Sequence, residues 1–144
     1  MEHQEMELQQ VGCAILADRH TALSEGIRGL LETTFKTVYI VADAASLKEG
    51  AQRLSPAVVV LDISLLGSDF PSLLKEVLES SPESRVIVLS VHDQASVACI
   101  ALDSGAKGVV LKRSIGNDLL TAVSAVLHGD EFVSPGFGLS TQTH

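Results

Sequence analysis

Tryptophan is absent from this 144-residue chain, tyrosine occurs once and cysteine twice. Cys13 and Cys99 lack metal-ligand spacing, which excludes a disulfide scaffold and a zinc module. Each lies in an apolar run, so a reduced, packed thiol is expected, in keeping with a cytoplasmic location. No apolar run approaches the roughly 20 residues needed to cross a bilayer. Met1 to Gln10 is polar and acidic, with no apolar stretch behind a basic start, so no targeting segment or membrane partner is expected. Positive charge is scarce too. Lys and Arg total 10 against 18 Asp and Glu, for a net charge of −8. A field of that sign does not grip DNA or an anionic membrane. Nor is there a glycine-rich phosphate loop after the first apolar run, where Asp18-Arg19-His20-Thr21 stands instead. That removes the main signature of a nucleotide or flavin binder.

What is present is a foldable core. Hydrophobic residues make up 46% of the chain and the mean hydropathy is +0.31, which excludes wholesale disorder. The length suits one domain. Residues 1–10 are expected to be a flexible extension, residues 11–133 the domain, and residues 134–144, rich in Gly, Ser and Thr, a tail or the start of a linker.

Short apolar runs alternate with segments of helical period. The runs are Val11 to Ala17, Thr37 to Val41, Ala57 to Leu61, Val86 to Leu89 and Gly108 to Leu111. Their continuity predicts strands buried on both faces, as in a parallel sheet. After each run, apolar residues recur three and four apart. Leu23, Ile27, Leu30 and Leu31 do so first; Leu119, Leu120, Val123, Val126 and Leu127 do so last. Five strand–helix repeats predict a doubly wound α/β sheet with right-handed crossovers. Asp93 is placed to cap the fourth helix, and Gly105 and Gly129 to end the fourth and fifth.

In such a sheet, function gathers beyond the carboxyl ends of the strands. Asp18 and Arg19 follow the first run, Asp62 closes the third, Ser90 the fourth, and Lys112 follows the fifth. The second ends at Ala42 and Asp43. Two carboxylates, a hydroxyl and an ammonium are thus expected on one rim. A carboxylate can attack phosphorus to form an acyl phosphate. That transfer needs positive charge on the phosphoryl oxygens, from a divalent ion and a lysine. A phosphohydrolase with an aspartate nucleophile would want a second acid two residues after Asp62, where Ser64 stands.

At this point the chain resembles the receiver domains of two-component response regulators. The resemblance rests on Ile15-Leu16-Ala17-Asp18-Arg19-His20, Val59-Val60-Leu61-Asp62-Ile63-Ser64, Val86-Ile87-Val88-Leu89-Ser90-Val91-His92 and Gly105-Ala106-Lys107-Gly108-Val109-Val110-Leu111-Lys112. The stretch Val126 to Pro135 is similar to the receiver end of the LuxR (NarL/FixJ) subfamily. The resemblance implies a flavodoxin-like sheet of five strands in the order 2-1-3-4-5, with five helices. It implies that Asp62 accepts a phosphoryl group from a sensor histidine kinase. Asp18, Asp62 and the Ser64 backbone carbonyl would hold Mg²⁺, Lys112 would contact the phosphoryl group, and Ser90 would carry the signal. Ser64 and His92 occupy positions that tune dephosphorylation. It implies a phosphoacceptor switch, not an enzyme acting on outside substrates.

Four residues depart from the pattern. Arg19 stands where a second acid usually ligates the metal directly, which makes the pocket formally neutral. Unit charges ~4 Å apart interact by ~4 kcal/mol at an effective dielectric of ~20. Weak Mg²⁺ binding is therefore expected, with Arg19 partly substituting by pairing with Asp62; the alternative is that Arg19 points to solvent and a water replaces the missing carboxylate. Leu66 and Phe70 replace a usual Pro and Gly, so the loop between Ile63 and Phe70 is expected to take another path. Val109 replaces an aromatic, and Tyr39, on the second strand, cannot take its part. His20 is read as a loop residue, not a ligand.

Val97 and Ile100, near Val109, are expected to form an exposed apolar patch. A homodimer would use the fourth helix and fifth strand, or the first and fifth helices. The subfamily usually carries a helix-turn-helix module, and too few residues follow Pro135 to form one. DNA contact would therefore need a domain not present in this chain. The competing reading is a degenerate receiver that binds partners without phosphorylation.

Overall fold

A computed structural model of the chain describes residues 11–65 and 69–138. The chain begins with β1 (Val11–Ala17), α1 (Thr21–Leu31), β2 (Phe35–Val41) and α2 (Ala44–Leu54). Next come β3 (Val58–Asp62), a 3₁₀ turn (Ile63–Leu65), α3 (Phe70–Ser80), β4 (Arg85–Ser90) and α4 (Ala95–Asp103). It ends with β5 (Gly108–Leu111), a 3₁₀ turn (Lys112–Ser114), α5 (Ile115–Leu127), β6 (Phe132–Val133) and a last turn (Pro135–Phe137). Residues 1–10, expected to be an extension, lie outside the described residues.

The expected α/β fold is observed. Among the described residues the sheet is parallel throughout, in the order β2-β1-β3-β4-β5-β6. It has six strands where five were expected. The addition, β6, is two half-buried residues that pair with Gly108 and Val109 on the β5 edge. The apolar runs alternate between two cores. Ile15, Ala17, Val59, Leu61, Val88 and Val109 face α2, α3 and α4. Leu16, Val60, Leu89 and Val110 face α1 and α5. With helices on both sides, every strand position in β3 and β5 is buried, which explains why both are apolar throughout except for Asp62 at the end of β3.

The helix ends follow backbone chemistry. Gly105 has φ +112° and closes α4, and Gly129 has φ +90° just beyond α5; both lie in the left-handed region that side chains resist. Asp43 caps α2 by accepting the Ser46 N–H at 2.7 Å, and that bond holds its carboxyl below the usual range. Asp93 does not cap α4. Gln94 holds that position, and Asp93 is drawn instead to Arg113, 3.4 Å away.

Other expectations also need correcting. Cys99 is exposed, because Ala98 and Ala101 are the residues of α4 that face the sheet. Cys13 is half-buried, and desolvation pushes its thiol up. The patch around Val109 does not form: Val109 is fully buried and Val97 packs on the core, leaving Ile100 exposed. Phe70 fills the core at the start of α3. Leu66 lies outside the described residues.

The expected tail begins too early. Ser134 is buried; its hydroxyl accepts the Leu111 N–H at 3.1 Å and donates to Asp118 at 2.7 Å. Three residues on, Phe137 is 3% exposed within the α2–α3–α4 core. Residues 139–144 lie outside the described residues. Phe137→Ala should therefore cost about 3 kcal/mol or more in a urea unfolding curve; a change under about 0.5 kcal/mol would mean that this segment does not belong to the folded unit.

Candidate functional site

The sheet order reverses between β1 and β3, and that is where a doubly wound fold opens a crevice. Leu16 pairs with Val60. Two residues further along each chain, on the same side of the pleat, stand Asp18 and Asp62. Leu89 of β4 pairs with Val110 of β5, and two residues beyond Val110 is Lys112. Strand periodicity therefore puts both carboxylates and the lysine on one side of the sheet, with Lys112 two residues beyond the level of Asp62, and the long lysine side chain reaches back across β4.

Asp62 is 2% exposed and fully engaged. Its Oδ1 accepts the Ser64 N–H at 3.0 Å and the Ser64 hydroxyl at 2.9 Å. Its Oδ2 accepts from Lys112 Nζ at 2.5 Å. Burial pushes this carboxyl up, but the bonds from Lys112 and Ser64 together with the lysine charge outweigh it, and the net shift is downward. Asp18 is as deeply buried. Its backbone N–H donates to Val41 O at 3.0 Å, and its Oδ1 accepts the His20 backbone N–H at 3.0 Å. Its Oδ2 is buried without a partner among the described residues.

Two neighbours make contacts that the sequence did not show. His20 lies in the loop, as expected, and its Nδ1 is 3.1 Å from Asp18 Oδ1 and 3.7 Å from Asp62 Oδ2. Asp18, His20 and Asp62 thus each bring a ligand atom within 4.8 Å of the others. His20 stands directly before α1. Arg19 is exposed but anchored. Among the described residues it makes no ion pair with Asp62; its Nη2 donates to the Ser64 carbonyl at 3.2 Å. Ser90 is buried at the end of β4, but its hydroxyl donates to the His92 carbonyl at 2.8 Å and accepts the His92 N–H at 2.9 Å. It closes its own turn and makes no bond to Asp62 or Lys112 among the described residues.

These contacts show how far the residues fit a divalent cation. The unpartnered Asp18 Oδ2 suits one. Asp18, His20 and Asp62 are close enough to share one. The Ser64 carbonyl, the third ligand that the resemblance implies, already accepts from the Arg19 guanidinium, so an ion there would meet a like charge.

Fold and site together define a doubly wound α/β domain built around one buried, charge-compensated carboxylate. The family profile of the response regulator receiver domain matches residues 14–124. The chain belongs to that family. The transcriptional regulatory protein DegU of Brevibacillus brevis is 28% identical over 123 residues, which cover 84% of this chain and 52% of that protein. The chain thus spans about half the length of that curated relative. A LuxR-family two-component response regulator from Aurantimonas sp. SI85-9A1 superposes with a TM-score of 0.79 at 26% identity, over 88% of this chain and 91% of that one. The isolated receiver domain of RcsB from Salmonella enterica serovar Typhimurium, solved with the phosphomimetic BeF₃⁻, gives 0.75 at 26%, over 88% and 95%. These relatives support the LuxR subfamily read from the sequence. No helix among the described residues is long and apolar enough to cross a membrane.

The geometry sets a pH dependence. The ordinary carboxyl value is about 3.9, and that of folded Asp62 lies below it. Its ionised form therefore contributes stability that is present above about pH 4 and is lost as pH falls through the depressed folded value. Lys112→Ala removes a hydrogen bond and a charge while burial remains. The Asp62 carboxyl value, followed by ¹³C NMR, should then rise; an unchanged value would mean that Lys112 does not hold the carboxylate ionised.

Proposed function

We propose that Asp62 is the phosphoacceptor of a signalling switch, charged by a sensor histidine kinase and read out through a protein surface. The observation that carries this reading is the placement of Asp62: ionised, in contact with an ammonium, at the crevice of a receiver fold. In the transfer, an Asp62 oxygen bonds to phosphorus as the bond from phosphorus to the donor nitrogen breaks. The leaving imidazole keeps the electron pair and takes up a proton. Lys112 compensates charge on the phosphoryl oxygens. The Ser64 N–H and hydroxyl orient the carboxylate. Ser90 lies one strand away, and its bonds to His92 are the ones it would exchange for a phosphoryl oxygen. The activity is self-modification and its reversal, with no turnover of an outside substrate.

Mg²⁺ binding belongs to the same proposal, in a weakened form. Asp18 and Asp62 are its carboxylates and the Ser64 carbonyl its third ligand, now shared with Arg19. A homodimer is proposed through exposed apolar residues, either Leu23 and Leu120 on the neighbouring helices α1 and α5 or Ile100 on α4. DNA contact would come through a helix-turn-helix domain of the kind the LuxR subfamily carries, and the location would be cytoplasmic.

Incubation with a small phosphodonor and Mg²⁺ tests the reading by intact mass. One adduct of about 80 Da, a single phosphoryl group, is expected, and Asp62→Asn should abolish it. An adduct that survives in the variant would remove Asp62 from the role. Separately, Arg19→Asp should raise Mg²⁺ affinity at least about tenfold, read by NMR titration. Equal affinity in both proteins would contradict weakening by Arg19.

A further inference from the structure

We propose that Arg19 is the resident cation of this site, so that the chain holds a phosphoryl-type anion on Asp62 without a divalent ion. The inference rests on the phosphoacceptor reading of Asp62 and concerns what compensates the charge there.

Three observations lead to it. The first is position. The Arg19 guanidinium donates to the Ser64 carbonyl across 45 residues of sequence, bridging the loop after β1 to the turn after β3. Ser64 is also the residue whose N–H and hydroxyl hold Asp62 Oδ1. The positive group is thus one residue from the phosphoacceptor, on the carbonyl that an ion would otherwise claim.

The second is charge. With His20 neutral, Asp18 and Asp62 against Arg19 and Lys112 sum to zero. An acid at position 19 would make the sum −2, and a divalent cation would bring it back to zero. Replacing that acid by arginine changes the charge by two units, the same as adding the ion. On phosphorylation Asp62 loses its carboxylate charge and the phosphoryl oxygens bring about −2. The pocket then stands near −1 in either arrangement. Adding a divalent ion beside Arg19 would overshoot, and two cations sharing one carbonyl repel each other.

The third is donor geometry. Guanidinium carries five N–H donors in a planar fork suited to phosphoryl oxygens, and one of them is used in the contact with Ser64. Lys112 Nζ touches the other carboxylate oxygen, Asp62 Oδ2. One cation is therefore on Asp62 itself and a second is on the backbone of Ser64, the residue that holds Oδ1, with the exposed Arg19 side chain free to donate its other N–H groups to a phosphoryl oxygen. Buried Asp18, whose backbone leads directly into Arg19, anchors this loop through the bond from its N–H to Val41.

The test uses the full 144-residue chain and beryllofluoride, a tetrahedral mimic of the phosphoryl group, observed by ¹⁹F NMR. It is run in excess chelator and again in millimolar Mg²⁺, with amide spectra confirming that each variant is folded. The expected result for the unaltered chain is a bound fluoride signal in chelator, with an affinity that Mg²⁺ changes by less than about threefold. Arg19→Ala should lose at least about tenfold in chelator, the scale of one charge-assisted hydrogen bond. Arg19→Asp should bind only with Mg²⁺, and Arg19→Lys should keep part of the metal-free binding. If the unaltered chain binds only with Mg²⁺, the inference is overturned while Asp62 keeps its role. Metal-free binding that is equal in Arg19→Ala also overturns it, because the charge then comes from elsewhere. Binding in neither condition overturns the phosphoacceptor reading, and this inference falls with it.

Discussion

The contact between the Lys112 ammonium and the Asp62 carboxylate is the constraint on which the site depends. Both groups are removed from most of their water, and taking charges out of water is costly unless each finds a partner. Asp62 meets that cost with three donors, two from Ser64 and one from Lys112. Remove the lysine and burial works against ionisation; without ionisation Asp62 is no nucleophile. The contact spans β3 and β5 with β4 between them. It therefore exists only when all three strands are in register, which makes the chemistry a consequence of the completed sheet.

Arg19 changes the balance of that site without disturbing its frame. A carboxylate at this position would leave a surplus of negative charge for a mobile ion to neutralise. A guanidinium brings its own positive charge on a covalent tether and donates to the Ser64 carbonyl. The pocket keeps its carboxylates, lysine and strand ends. On the proposal made above, what differs is whether the compensating charge arrives from solution or is already in place.

Much of this was legible in the sequence, and the failures have physical reasons. Runs such as Val58 to Leu61 showed themselves because burial on both faces leaves no room for polar residues. Asp18 and Lys112 could be placed because each directly follows its strand, and Asp62 because it closes its own. β6 could not, since two half-buried residues have no periodicity and owe their pairing to the β5 edge. Phe137 was hidden for a similar reason: one aromatic among glycines gives no pattern, and its burial depends on a gap between distant helices. Asp93 looked like a cap and became a partner of Arg113, a choice made by a residue 20 positions away. Cys99 sits in an apolar run, yet α4 turns it outward. The contacts of His20 and Arg19 were hidden by one cause. One ring turns on a side-chain rotamer, and one guanidinium seeks a backbone carbonyl, which no letter of the sequence marks.

The central claim is that one carboxylate, at residue 62, accepts the phosphoryl group. Borohydride reduction of the phosphorylated chain tests it most directly, because the reagent converts an aspartyl phosphate to homoserine, which tandem mass spectrometry can locate. The account requires homoserine at position 62 and unaltered aspartate at position 18. Homoserine at position 18, or at any other carboxylate while Asp62 stays intact, would contradict it.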